Sequence, residues 1–194
     1  MGNPWSRKST RAGLEISDVG SNTSRKTDGG AALIEMALAL PILVMLLVGM
    51  VSAGIAYNHQ LALTHAAREG GRYGATLPVT NFGSLSAWLD EVSAQTVADG
   101  TGTIDPGVPG RYVCVAYVYP DGSAAGLPND QTMSKVIDGA TQTYDTSVCF
   151  SDGRPDSERR VQVRVGRDSD FSVVFFSSVL NLDSEAVNRF EASQ

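Results

Sequence analysis

The chain is poor in the residues that build chemical sites. Among 194 residues there are two histidines and two cysteines. His59 and His65 lie six positions apart, so on a helix they face different ways and cannot share a metal at i, i+4 spacing. Cys114 and Cys149 do not form a CxxC pair, and no GxSxG, HExxH or phosphate-cradling glycine loop occurs. These absences argue against an enzyme, a cofactor, a metal site and a small-molecule substrate. Lysine is scarce as well. Residues 1–30 carry five Lys/Arg against three acids, whereas the remainder carries ten against eighteen, with Lys135 its only lysine. Phosphate contacts need clustered basic side chains, so an acidic body makes nucleic acid an improbable partner.

What the chain does have is one long apolar run, "AALIEMALALPILVMLLVGMVSAGIAY", residues 31–57. No charged side chain occurs from 36 to 57, and about 20 helical residues suffice to cross a ~30 Å hydrocarbon core. A buried helix of a soluble protein is the bland alternative, but "LPILVMLLVGMV" offers no polar face to water. Pro41 is tolerated more easily in a lipid-embedded helix than in a soluble one. Arg25 and Lys26 precede the run, and the first basic residue after it is Arg68. The positive-inside rule therefore puts the N-terminus in the cytoplasm and the acidic body outside. A secretory signal is a further alternative, with "VSA" before Gly54 as its cleavage site. That reading gives no account of Glu35, a carboxylate near one end of the run, which costs several kcal/mol in hydrocarbon unless neutralised.

The residues around that carboxylate resemble a known class. "GG-AALIEMALALP" is similar to the N-termini of type IV pilin-like proteins. The longer stretch through "AAREGGRYGA" resembles the TadE-like family of minor pseudopilins in tight-adherence (Flp-type) pili. The resemblance implies cleavage by a prepilin peptidase at the cytoplasmic face. A cut after Gly30 makes Ala31 the first residue and Glu35 the fifth, and a cut after Gly29 makes it the sixth. It also implies a pilin-like fold, other pilin-like subunits and an inner-membrane assembly platform as partners, and a place in the membrane or in an extracellular pilus used for adhesion.

A physical role for Glu35 follows from cleavage. The new α-amino group of Ala31 is charged at neutral pH and lies about one helical turn from Glu35. The two can neutralise each other within a chain, or across chains that pack with a stagger, making Glu35 an assembly and register device. A charge that merely snorkels to the interface is the alternative, although glutamate is short for that.

The rest of the chain reads as a small α+β domain. Residues 1–30 form a polar cytoplasmic leader, disordered by composition. After the span at 31–57, the helix extends over 58–76, with Gly70-Gly71 as a natural stop or thinning point. The extracytoplasmic domain covers 77–194. Its first element is a helix over "SLSAWLDEVSAQTVADG", capped by Ser84 or Ser86. "RYVCVAYVYPDG", "TSVCF", "RRVQVRVG" and "SEAVNRFEA" carry strand signals, while "FSVVFFSSVLNL" fits either a buried strand or a helical stripe. The whole is a long N-terminal transmembrane helix leaning on a small antiparallel sheet.

An even cysteine pair in an oxidising compartment usually closes, so Cys114 and Cys149 are expected to be bridged. The acidic runs "SDGRPDSE" and "GRDSDF" follow no EF-hand pattern. They read as solvated turns, with Arg154, Arg159, Arg160, Arg164 and Arg167 available for surface salt bridges. A pseudopilin that initiates, primes or caps a pilus is the resulting reading. The other readings are a signal-anchored binding or sensor domain that never polymerises and, further off, an anchored enzyme. An N-terminus at Ala31 separates the first from the second.

Overall fold

A computed structural model describes residues 28–100, 102–105, 107–120, 131–155, 158–173 and 176–190. The leader expected over residues 1–30 lies outside the described residues except at its end, where Asp28, Gly29 and Gly30 are already helical.

Helix α1 runs from Asp28 to Thr76 and contains Pro41. A short 3-10 turn, Val79–Asn81, leads to α2, Leu85–Asp99. Five strands follow: β1 Arg111–Val118, β2 Met133–Asp138, β3 Thr141–Asp145, β4 Arg160–Val173 and β5 Phe176–Arg189. They form one antiparallel sheet in the order β3-β2-β1-β4-β5. The architecture is α+β. By contact the chain divides into two units at Leu43/Val44, and the sheet, α2 and the C-terminal part of α1 all belong to the second.

Sequence patterning explains most of these elements. Ser84 caps α2 by accepting a hydrogen bond from the Ala87 N–H at 3.2 Å. Leu85, Trp88, Leu89 and Val92 then place one buried stripe against the sheet. Val113, Val115 and Tyr117 of β1 and Val161, Val163 and Val165 of β4 alternate into the same core, where Leu63, Ala66 and Ala67 of α1 meet them. Trp88 is fully buried. Its indole N–H donates to the Leu77 carbonyl at 3.1 Å, and its ring meets Tyr117 edge-on with centroids 5.8 Å apart.

Gly70-Gly71, expected to end or thin the helix, lies inside α1 instead, which continues to Thr76. These glycines are there for close approach. A Cβ on Gly70 would land on the Thr96 hydroxyl of α2, and one on Gly71 would come within 3.1 Å of the Asn188 Oδ1 on β5. Tertiary contact here outweighs the helix penalty of about 1 kcal/mol per glycine.

Two further expectations need correction, one open alternative is decided, and two strands are new. "TSVCF" is not a strand, because residues 146–150 form an irregular segment after β3. "GRDSDF" is not a turn but part of β4. "FSVVFFSSVLNL" is not helical; it supplies the end of β4 and the start of β5, paired from Phe171↔Ser178 to Val173↔Phe176, with Val174 and Phe175 outside the described residues. Strands β2 and β3 carried no expectation at all. Their signal was the glycine of a two-residue turn, Gly139-Ala140, where Gly139 takes φ +58°. Lys135 of β2 is buried and reaches the Asp90 carboxylate of α2 at 2.8 Å, and the Tyr144 hydroxyl of β3 donates to the same carboxylate. That hydrogen bond pushes the Tyr144 phenol up to about 12.

The sheet's other face is closed by the segment after β3. Cys114 of β1 is bridged to Cys149, 35 residues on, with Cα atoms 5.9 Å apart. Gln162 of β4, fully buried, accepts from the Cys149 N–H at 3.2 Å and donates to the Phe150 carbonyl at 3.1 Å. Beside it Asp152 and Arg160 form an ion pair at 2.6 Å whose side chains are 6% and 5% exposed. This is a buried pair and not the surface bridge expected of "SDGRPDSE". Burial alone would raise the Asp152 carboxyl. Hydrogen bonds from Gln162, the Arg154 N–H and Arg160, with the guanidinium charge, outweigh that and hold it below the usual carboxylate range.

Two predictions follow from this face. Alkylation of the protein extracted from membranes should detect thiols only after reduction, and Cys114→Ser with Cys149→Ser should lower stability by ~3–4 kcal/mol in chemical denaturation. Free thiols without reductant would remove the staple. A carboxyl depressed by folding contributes stability that is complete above its unfolded pKa of about 4 and is lost as pH falls through the folded value. Thermal melts between about pH 5 and pH 3 should therefore fall less steeply for Asp152→Asn than for the parent. An equal slope would mean that the Asp152–Arg160 pair contributes nothing to acid sensitivity.

Candidate functional site: an apolar helix with one carboxylate

The residues singled out for processing and assembly lie in the first turns of α1. Gly30, Ala31 and Glu35 are all exposed, and a Cβ on Gly30 would meet nothing within 4 Å. Alanine and leucine favour the helix here, and nothing interrupts it before Pro41. Every residue from Gly30 to Val44 is exposed, including Leu33 at 73% and Met36 at 64%. The most apolar eighteen-residue window of α1 has a mean hydropathy of 2.6, and none of it is buried. A bare apolar surface of this length needs a cover, and the helix fits a single-pass membrane anchor. The Glu35 carboxylate makes no ion pair or side-chain hydrogen bond with any described residue.

Farther along, α1 meets the sheet through a polar ladder that sequence reasoning missed. The Ser52 hydroxyl donates to the Ser172 carbonyl at 2.9 Å, and the Gln60 amide donates to the Asp183 carbonyl at 2.8 Å. His59 Nδ1 lies 3.5 Å from the Ser169 hydroxyl, and Ser184 lies 3.4 Å from the Thr64 hydroxyl. The one available signal was Ser52 itself, a hydroxyl inside an otherwise apolar run. Burial, then the Arg167 and Arg111 charges, lower the His59 pKa. Cys114 and Cys149 serve the far face of the sheet. Among the described residues no group of three or more His, Cys, Asp or Glu is placed to hold a metal.

Beyond Thr64, the helix turns its smallest residues inward. Ala66, Ala67, Gly70, Gly71, Gly74 and Ala75 are buried, while Arg68, Glu69 and Arg72 are exposed. The segment that begins at the candidate cleavage glycine thus ends in the packing surface of the body.

Residues 30–72 match the model of a family described as TadE-like protein, the family that the sequence resembles. The match opens at Gly30, contains Glu35 and closes at Arg72, inside the small-residue surface. Neither a curated protein nor a solved structure matches the chain.

Proposed function

We propose that this chain, with its TadE-like segment at residues 30–72, is a non-enzymatic minor pseudopilin of a tight-adherence pilus. A prepilin peptidase cuts after Gly30 at the cytoplasmic face, leaving Ala31 as the first residue and the acidic body outside. Other pilin-like subunits and the inner-membrane assembly platform then take up the apolar helix, and the subunit initiates, primes or caps a fibre used in adhesion. The observation that carries this reading is Glu35, a carboxylate without a charged partner among the described residues, on an exposed apolar stretch of helix and five residues beyond the glycine at which the family match opens.

The physical support lies in what a lone carboxylate requires. In lipid or among packed helices it is costly unless a cation meets it. The α-amino group created at Ala31 is such a cation, within the chain or on a staggered neighbour. A subunit then docks best in the register where charge meets charge, because an unpaired partner keeps its desolvation penalty.

Cleavage comes first. A residue without Cβ lets a protease approach the backbone closely, and Gly30 is exposed with open space where a Cβ would stand. Gly30→Val should abolish loss of the leader, read by mass spectrometry of membrane-extracted protein from cells that have the peptidase. A wild-type chain with an intact N-terminus, or a variant processed normally, would sink this step and favour a signal anchor.

Glu35→Gln keeps shape and hydrogen bonding but deletes the charge. Losing one partner of a poorly solvated ion pair costs up to ~3–5 kcal/mol, reduced by headgroups and water at the boundary. Even ~1.4 kcal/mol is tenfold in recruitment. The variant should be inserted and processed, yet cells should carry far fewer pili by electron microscopy. Normal piliation would make the charge incidental.

A further inference from the structure

Toward the free end of the β4–β5 hairpin, the described part of β5 carries apolar, exposed side chains that the role of α1 does not explain. Residues 171–182 contain no charged side chain and are bounded by Asp170 and Asp183. Phe176 is 63% exposed, Val179 55% and Leu180 40%. On an ordinary water-facing hairpin such a cluster invites aggregation, the more so on β5, an edge strand that among the described residues pairs only with β4. The hydrogen bonds to α1 fix where this end lies. Ser172 meets Ser52, which is five residues before Tyr57 and so about 7.5 Å along the helix toward the middle of the apolar run. Asp183 meets Gln60, just past Tyr57. The uncharged length of the hairpin therefore runs beside the uncharged length of the helix, and its charges begin where the apolar run ends. Tyr57 is 66% exposed, as expected of an aromatic at a membrane interface.

We propose that the hairpin tip is a second membrane contact, with Phe176, Val179 and Leu180 seated in the outer-leaflet interface beside the anchor helix. This rests on the reading of residues 31–57 as a membrane span. The occupant is lipid because the hydrogen-bonded neighbour of the tip is itself the lipid-facing helix, so whatever surrounds Ser52 also surrounds Ser172. Depth is limited by the backbone. An open strand edge cannot enter the hydrocarbon core without orphaning its N–H and C=O groups, whereas the interfacial layer, roughly 5–7 Å per leaflet, still supplies water and ester oxygens. Ser52 satisfies one tip carbonyl on the helix side. The consequence is orientation: one helix fixes only depth, while helix and hairpin together fix how the body is turned on the membrane.

The test uses the full-length protein in phosphatidylcholine vesicles whose acyl chains are brominated either near the carbonyl end or near the methyl end. Phe176→Trp reports the tip and Leu47→Trp the span, each after subtraction of the parent emission from Trp5 and Trp88. Trp at 176 should lose most emission with bromine near the carbonyl end, and Trp at 47 with deeper bromine. If position 47 is quenched but 176 is not, the hairpin contact is wrong while the span stands. Quenching of 176 by aqueous acrylamide in place of brominated lipid would put the tip in water. Shielding of 176 from both quenchers would make it a protein contact, which also overturns the proposal. No quenching at 47 would remove the span and the hairpin contact together.

Discussion

Close approach of α1 to the rest of the body is the constraint on which the fold depends. Ala66, Ala67, Gly70, Gly71, Gly74 and Ala75 present almost no side-chain volume, so α2 and the sheet come within contact distance of helix backbone. Val92 and Trp88 fill the space over Gly74, and Thr96 fills the space over Gly70. Larger residues at these sites would push α1 off Trp88, Tyr117 and Val161, around which the core is arranged. The AAREGGRYGA stretch, within which the family match closes, thus has a mechanical reading. It is the smooth strip by which an anchor helix becomes part of a globular core.

That arrangement leaves one sheet face for the helices and the other for a segment without regular structure. Strand β1 is buried on both faces, since Val113, Val115 and Tyr117 point to the helices and Cys114, Ala116 and Val118 to the opposite side. Loop backbone over such a face needs partners. Gln162, Asp152 and Arg160 supply them, and the disulfide holds the segment in place. A buried ion pair is weak evidence for net stability, but breaking one partner is costly. The pair therefore specifies where the loop sits more than it adds to the total.

The helix also carries its own transition between environments. Between Ser52 and Thr64 four of its polar side chains, Ser52, His59, Gln60 and Thr64, meet the β4–β5 hairpin, through backbone carbonyls at Ser172 and Asp183 and hydroxyls at Ser169 and Ser184. From Gly30 to Ser52 it is apolar apart from Glu35, and after Thr64 its buried residues are small. One continuous helix so passes from a surface that needs lipid or other helices, through a polar ladder, to a packed interior. Among the described residues, the Glu35 carboxylate takes no part in this sequence of contacts.

The sequence by itself determined the local, periodic features. The apolar run, the lone Glu35 after Gly30, α2 with a serine cap at Ser84 or Ser86, the α+β class and the cysteine pair were legible because each rests on neighbours in the chain or on composition. Tertiary structure decided whatever depends on distant partners. Gly70-Gly71 reads as a stop until Thr96 and Asn188 are seen to require the missing Cβ atoms. FSVVFFSSVLNL has the spacing of both a helix and a strand, and only pairing in β4–β5 chooses between them. Strand β3 is exposed along its length, so it carries no hydrophobic alternation to detect. Asp152 and Arg160 look like surface charges because nothing in one dimension shows that a disulfide-held loop buries them. Burial is a property of the whole assembly of segments, and no local window of sequence contains it.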